Sequence, residues 1–203
     1  MMPEKEKKRL FIALEPSAIF KSALAEVQAR LRAAGIGARY YDPAALHLTL
    51  AFIGQWPEDI SPLLPPVEAP FPLALSHLGV FPEAKVLWAG VAPSEKLDAL
   101  ARRVRRALDD SSVPYDRRPF RPHITLGRKP QIPEGAALDG IVLPPAVMTV
   151  RDVCLYRSCP GGVYTSIGRG AGKIRFLMKK RQRCLERRAA RVHSFPRSAY
   201  PIF

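Results

Sequence analysis

The sequence predicts an α+β protein whose sheet is built in two similar halves. Short apolar runs bounded by turn residues predict many strands, whereas only two stretches show the periodicity of long helices. One order of strand, helix and strand occurs twice, which predicts two lobes related by a pseudo-twofold axis. The chain has 203 residues, 47% of them apolar, and this is enough for one domain with a core and an added tail.

The first copy lies near the start of the chain. The apolar run Leu10–Leu14 predicts a buried strand. A helix begins after Pro16 and Ser17, and Gly35 marks its end. Its apolar side chains recur at steps of four, three and four, as on one face of an amphipathic helix: Phe20, Leu24, Val27 and Leu31.

The second copy repeats this order. A strand is predicted at Val86–Ala89, and an amphipathic helix follows, with the apolar positions Leu97, Leu100, Val104 and Leu108. The spacing also repeats, since 34 residues separate Ala13 from His47 and 34 separate Ala89 from His123. Each copy ends in a strand with the pattern HxTL. Further strands are predicted at Leu73–Leu78, Ala146–Val150, Val153–Tyr156 and Val163–Ile167.

Charge divides the chain into a body and a tail. Of the net charge of +14, residues 169–203 hold 11 Lys/Arg against one acid, a net of +10. We predict a catalytic body over 1–168 and a basic tail over 169–203, with glycines at 168, 170 and 172 as a flexible hinge. The tail fits a solvated extension, a segment that contacts RNA, or a basic helix for a membrane surface or partner.

Several classes of protein are excluded. No apolar run reaches the ~18 residues of a membrane-spanning helix, and the first residues lack the long apolar region of a signal peptide. The three cysteines form no CxxC pair, so neither a disulfide framework nor a zinc site is expected. We therefore expect a cytoplasmic protein in a reducing compartment.

The two HxTL patterns carry the predicted chemistry. Residues two apart in a strand point to the same side, so His47 projects with Thr49, and His123 projects with Thr125. If the strands are neighbours, one imidazole takes a proton from water and the other protonates the leaving oxygen of a phosphodiester. The hydroxyls donate to oxygens where negative charge builds. Two histidines are too few ligands for a catalytic zinc, so neither a metal nor another cofactor is expected.

Other candidates receive structural interpretations. His77 and His193 lie outside the repeat and are predicted to be surface or structural residues. Phe11 and Trp88 lie on equivalent strands and are interpreted as core residues rather than as platforms for stacked bases. Cys154 is predicted to be an inert buried thiol.

With these motifs the chain resembles the two-histidine (2H) phosphoesterase superfamily, and most closely its RNA 2′,3′-cyclic phosphodiesterases, also called 2′-5′ RNA ligases. The stretches RLFIALEP, HLTLAFIG, VLWAGV, FRPHITLGR and VCLYRS…GGVY carry the resemblance. It implies a bilobal, LigT-like α+β fold with an antiparallel sheet in each lobe, flanked by helices, and an active site in the central cleft. The basic tail has no counterpart in this pattern.

The resemblance also implies an activity and roles for residues. The expected reaction is the hydrolysis of RNA 2′,3′-cyclic phosphate ends, such as those of tRNA fragments, to 2′-phosphomonoesters. His47 matches the proton donor to the leaving 3′ oxygen, and His123 matches the proton acceptor. Thr49 and Thr125 match positions that contact phosphate, and Arg128 matches one that adds positive charge near the substrate. We expect a monomer without a membrane partner.

Other functions stay open at this point. The same site joins RNA ends of the tRNA type through 2′-5′ linkages if the reaction runs in reverse. A non-catalytic RNA-binding protein would use the cleft only to hold phosphate, although binding alone has no need for two proton-transfer groups. A small cyclic nucleotide or ADP-ribose cyclic phosphate is a further substrate that nothing in the sequence excludes.

Overall fold

The computed structural model describes residues 8–159 and 163–170, which form one antiparallel sheet with two long helices. Among these residues, no helix is long and apolar enough to cross a membrane. The strands are β1 (Lys8–Leu14), β2 (Gly37–Tyr40), β3 (Leu48–Trp56), β4 (Phe71–Phe81), β5 (Val86–Val91), β6 (His123–Gln131), β7 (Val147–Val150), β8 (Cys154–Ser158) and β9 (Tyr164–Arg169). The helices are α1 (Ala18–Ala33) and α2 (Glu95–Asp110).

The sheet has two halves that meet at the motif strands. Its order is β7-β4-β5-β6-β3-β1-β8-β9, and β2 pairs with β6 on the same side as β3, beyond the residue where β3 pairs. One half holds β1 and β3 with β8 and β9, and the other holds β5 and β6 with β2, β4 and β7. The halves join where Leu48 on β3 pairs with Ile124 on β6. The predicted bilobal α+β fold with antiparallel strands is therefore confirmed.

Both predicted helices begin at a serine cap and bury the predicted face. The Ser17 hydroxyl accepts a hydrogen bond from the Phe20 amide at 3.3 Å, and the Ser94 hydroxyl accepts one from the Leu97 amide at 3.3 Å. All eight predicted apolar positions are buried, 1% exposed or less: Phe20, Leu24, Val27 and Leu31 on α1, and Leu97, Leu100, Val104 and Leu108 on α2.

Each helix packs against the half of the sheet that carries the other copy's motif. The first helix, α1, contacts β2 and β7, whereas α2 contacts β3. The buried Gln28 of α1 strengthens this crossing. Its side-chain amide donates to the carbonyls of Tyr41 at 2.8 Å and Leu126 at 3.0 Å, and Leu126 lies on the second motif strand. The two halves therefore share one core.

The structure corrects two expectations at the edges of the sheet. The short strand β2 was not predicted. The flexible hinge is wrong for Gly168 and Gly170, because β9 includes Gly168 and the Gly170 amide donates to the Val153 carbonyl at 2.7 Å. A β carbon on Gly168 would lie 2.2 Å from that of Ser61, so glycine serves close packing there.

Some expectations concern residues outside the described ranges. These are the third glycine of the hinge, Gly172, the histidine His193 and most of the basic tail. The division into a body over 1–168 and a tail over 169–203 therefore stays a prediction, as do the three interpretations of the tail.

Candidate active site

The pairing of the two motif strands brings the four predicted residues together. Leu48 and Ile124 face each other and are both fully buried. Alternation along each strand places the flanking histidines and threonines on the opposite side of the sheet, where they are half-buried. Antiparallel pairing at Leu48 then sets His47 across from Thr125, and Thr49 across from His123.

The backbone holds both imidazoles in the same way. The Nδ1 atom of His47 lies 2.8 Å from the Ala45 carbonyl oxygen, and that of His123 lies 2.7 Å from the Arg121 carbonyl oxygen. A carbonyl oxygen only accepts, so Nδ1 carries the proton in each ring. The Nε2 atom is therefore the one left to exchange a proton with a substrate. When neutral it is a base, and when protonated it is an acid.

Burial makes the charged form of both imidazoles less favourable. Loss of solvent lowers the pKa of His47, and the hydrogen bond to Ala45 opposes this. The positive charges of His123 and Lys21 lower the His47 pKa further. Burial also lowers the pKa of His123, against its hydrogen bond to Arg121. The repulsion between the imidazoles favours a site that holds one proton, which is the state that acid–base catalysis requires.

Three aromatic rings surround His47. The ring centroids of Phe11, Tyr164 and Tyr156 lie 4.6, 4.9 and 6.1 Å from that of His47. Phe11 is buried, as predicted, but it lies with Ala13, Cys154 and Tyr156 in a cluster separate from the main core. The three rings around His47 exclude solvent from its imidazole.

A different set of rings lies beside His123. The ring of Phe81 stands perpendicular to that of His123 at 5.0 Å, and the Trp88 ring lies 6.3 Å from it. Trp88 pairs with Thr125 across neighbouring strands. The interpretation of Trp88 as a core residue is wrong, because its side chain is half-buried and lies outside both buried clusters.

Arg128 lies on the cleft side of the sheet because β6 has a bulge. Thr125 pairs with Trp88 and Gly127 pairs with Leu87, so Leu126 is an extra residue in the strand. Without the bulge, alternation from Thr125 would place Gly127 on the cleft side and Arg128 on the core side. The extra residue reverses these positions, so that Arg128 lies on the cleft side.

Tyrosines connect Arg128 with the His47 side of the cleft. The Arg128 Nε atom donates to the Tyr41 hydroxyl at 2.9 Å. Tyr41 is hydrogen-bonded to Tyr164, whose ring contacts His47. Burial and this bond raise the pKa of Tyr164, so its hydroxyl stays neutral, whereas the charges of Arg128 and Arg9 oppose the rise. The charges of Arg128 and Arg9 therefore act on Tyr164, whose ring contacts His47.

Sequence reasoning missed the tyrosines of the site. Tyr156 and Tyr164 stand within VCLYRS…GGVY, a stretch that carries the family resemblance, and this signal points to them. Cys154 is buried as predicted, and burial raises the pKa of its thiol, which disfavours the reactive thiolate. Within residues 8–159 and 163–170, no group of three or more His, Cys, Asp or Glu side chains is placed to hold a metal.

The comparison with family models identifies the class. Residues 12–160 match the model of the 2′-5′ RNA ligase superfamily. This match covers most of the chain, and the chain therefore belongs to the 2′-5′ RNA ligase superfamily.

Curated relatives are RNA 2′,3′-cyclic phosphodiesterases. The one from Geobacillus stearothermophilus is 38% identical in an alignment of length 127 that covers 55% of this chain and 40% of that protein. The one from Thermus thermophilus is 33% identical in an alignment of length 144 that covers 62% of this chain and 72% of that protein. The chain thus spans less than half of the Geobacillus protein but most of the Thermus protein.

Solved structures show the same fold. Escherichia coli LigT complexed with 3′-AMP matches with a TM-score of 0.63 and 26% identity, covering 83% of this chain and 99% of that one. A protein of Thermus thermophilus matches with a TM-score of 0.64 and 31% identity, covering 80% of this chain and 96% of that one. These similarities confirm the LigT-like 2H phosphoesterase fold predicted from the motifs.

Proposed function

We propose that this protein is an enzyme that hydrolyses RNA 2′,3′-cyclic phosphate ends to 2′-phosphomonoesters without a metal. The observation that carries the proposal is the matched pair of imidazoles. Each donates from Nδ1 to a carbonyl two residues earlier, and His47 immediately precedes β3 while His123 begins the neighbouring strand β6. A protein that only binds RNA has no need for two such groups.

The proposed roles of the two histidines are those that the family resemblance implies, and the proton on each Nδ1 atom leaves Nε2 free to carry them out. His123 is neutral, and its Nε2 atom takes a proton from the attacking water as the new oxygen–phosphorus bond forms. His47 is protonated, and its Nε2 atom gives a proton to the 3′ oxygen as the bond from that oxygen to phosphorus breaks. The product keeps the phosphate on the 2′ oxygen, and a second proton transfer resets the pair.

The remaining residues stabilise charge on the phosphate. Thr49 and Thr125 donate hydrogen bonds to the non-bridging oxygens, which become more negative in the transition state. Arg128 adds positive charge from the Tyr41 side. These side chains supply both proton transfer and charge stabilisation, so the donor set is complete without an ion.

The names of the relatives support RNA as the substrate, because several of them are RNA 2′,3′-cyclic phosphodiesterases. We further propose that the enzyme acts as a monomer in the cytoplasm. The free thiols of Cys154 and Cys159 are consistent with a reducing compartment.

The test is hydrolysis of adenosine 2′,3′-cyclic phosphate in excess EDTA, with identification of the product. We expect the same rate of hydrolysis with and without EDTA, and 2′-AMP as the product. Formation of 3′-AMP would show that the 2′ oxygen leaves, which contradicts the proposed geometry. Absence of turnover, with retained RNA binding, would favour the non-catalytic alternative.

A further inference from the structure

Three aromatic side chains lie on the cleft side of the sheet beyond His123, and the mechanism above does not use them. His77 and Phe81 on β4 and Trp88 on β5 form this aromatic patch. The ring of Trp88 lies 5.2 Å from that of His77 and 5.0 Å from that of Phe81. The His77 side chain is exposed, as predicted, and the other two are half-buried. Each of the three side chains is therefore at least partly accessible to solvent.

Strand register places the aromatic patch on the same side of the sheet as the reacting groups. Trp88 pairs with Thr125, and Gly90, two residues further on, pairs with His123. Residues paired directly across strands point to the same side. Phe81 also contacts the His123 ring edge to face. The patch is thus continuous with the active site.

Two glycines make room for these rings. A β carbon on Gly79 would lie 2.2 Å from Cζ2 of Trp88, and one on Gly90 would lie 2.4 Å from Cε1 of His77. Any other residue at either position would displace the ring from its place over the neighbouring strand. The Trp88 and His77 rings therefore fill the space that side chains at positions 79 and 90 would otherwise take.

Two exposed lysines lie near one end of the aromatic patch. Phe81 pairs with Val86, and Val86 pairs with Arg128 on the next strand. The Lys129 amide donates to the Lys85 carbonyl at 2.8 Å, so these two exposed lysines come close together at the same end of the sheet. The exposed Glu83 lies in the same turn as Lys85. Open aromatic rings beside cations are the arrangement that binds single-stranded nucleic acid.

We infer that the aromatic patch binds a second nucleobase of the RNA strand whose cyclic phosphate lies between His47 and His123. This rests on the proposed function. The terminal nucleoside carries the 3′ leaving oxygen, which faces His47 on one side of phosphorus. The patch lies beside His123, on the side from which water attacks, and the preceding nucleotide places its base there when the strand turns back from the 5′ oxygen of the terminal ribose across the cleft. The preferred substrate is then an oligonucleotide end rather than a free cyclic nucleotide.

The first experiment compares two substrates, adenosine 2′,3′-cyclic phosphate and the dinucleotide ApA with a 2′,3′-cyclic phosphate end. We expect kcat/KM to be about tenfold higher for the dinucleotide, since stacking of one base supplies this much. Trp88→Leu and Phe81→Leu should bring the ratio of the two values close to one. Ile19→Ala, which removes an apolar side chain that is 79% exposed on α1, should keep the wild-type ratio.

Two results would overturn the inference. One is a wild-type ratio close to one. The other is a wild-type ratio that persists in both variants, or activity that falls equally on both substrates, because the rings would then only support His123. The ratio of the two substrates cancels any general loss of folded enzyme.

A binding measurement separates this inference from the proposed function. Trp56→Phe leaves Trp88 as the sole tryptophan, and its fluorescence is titrated with ApA ending in a 2′-phosphate and with 2′-AMP. Stronger quenching by the dinucleotide supports the inference even if no substrate is hydrolysed, whereas equal quenching contradicts it even if hydrolysis is intact. If Trp56→Phe does not fold, the difference between wild type and Trp88→Leu gives the same information.

Discussion

The half of the sheet with His47 and the half with His123 hold their imidazoles alike but surround them differently. In both, Nδ1 bonds to the carbonyl two residues earlier, at 2.8 and 2.7 Å. Three rings enclose His47, and the charges of Lys21 and His123 act on it, whereas Phe81 and Trp88 lie beside His123. The duplicated strand thus fixes the orientation of each imidazole, and unrepeated neighbours make the two sites different.

The largest effect is expected from removing either imidazole. His47→Ala and His123→Ala should each lower kcat for cyclic phosphate hydrolysis by about 10³-fold, since each removes one proton transfer. The double variant should lose little more, because the two groups act as a unit. Rates in excess EDTA measure this, and circular dichroism verifies folding. A wild-type rate for either variant would mean that the two halves do not share the reaction.

A smaller effect is expected from the threonines. Thr49→Val and Thr125→Val keep the shape of the side chain but remove a donor to the phosphate, so each should lower kcat by about 10²-fold. Thr49→Ser and Thr125→Ser are the matched controls and should stay within a few-fold of wild type. If the valine variants behave like the serine variants, the hydroxyls do not contact the transition state.

The pH dependence of kcat/KM tests whether burial lowers the pKa of both imidazoles. Burial lowers both pKa values below the ordinary value of about 6.5. Activity falls as pH rises through the pKa of the acid, which must be protonated, and as pH falls through the pKa of the base, which must be neutral. The optimum of kcat/KM in the free enzyme lies midway, below pH ~6.5. An optimum above pH ~7 contradicts this.

The same profile distinguishes the two halves. The charge of Lys21 lowers the pKa of His47, so Lys21→Met should shift one limb of the profile to higher pH. Lys96→Met, at an exposed position on α2, is the control that should leave both limbs in place. A shift of both limbs by equal amounts would show that Lys21 acts on the whole site.

The smallest effect is expected from the tyrosine that holds Arg128. Tyr41→Phe removes the hydroxyl that accepts from the Arg128 Nε atom, so KM should rise by about fivefold with kcat little changed. Tyr40→Phe is the matched control, because the Tyr40 hydroxyl donates to Ile36 on the other side of the strand. A fall in kcat alone would place Arg128 in the chemical step instead.

The repeat made much of the fold and the central pairs of the site predictable. Strand alternation and helical periodicity are local rules, so His47 with Thr49, and the buried face that includes Phe20, follow from spacing. Tyr41 and Tyr164 are far apart in sequence. They meet through pairing between distant strands, which no local pattern encodes.

Other features depended on packing that the sequence does not display. The strand β2 has four residues, Gly37–Tyr40, without an apolar alternation, and it exists because β6 offers a free edge. The bulge at Leu126 decides on which side Arg128 emerges. Gly168 looked like part of a hinge, but the close approach of Ser61 is what requires it.

The crossed helices have a consequence for how the molecule unfolds. Because α2 contacts β3, and the Gln28 side chain of α1 donates to the Leu126 carbonyl on β6, each helix is tied to the motif strand of the other copy. Loss of either copy would expose apolar side chains of the shared core, so we expect residues 8–159 to unfold in a single cooperative transition.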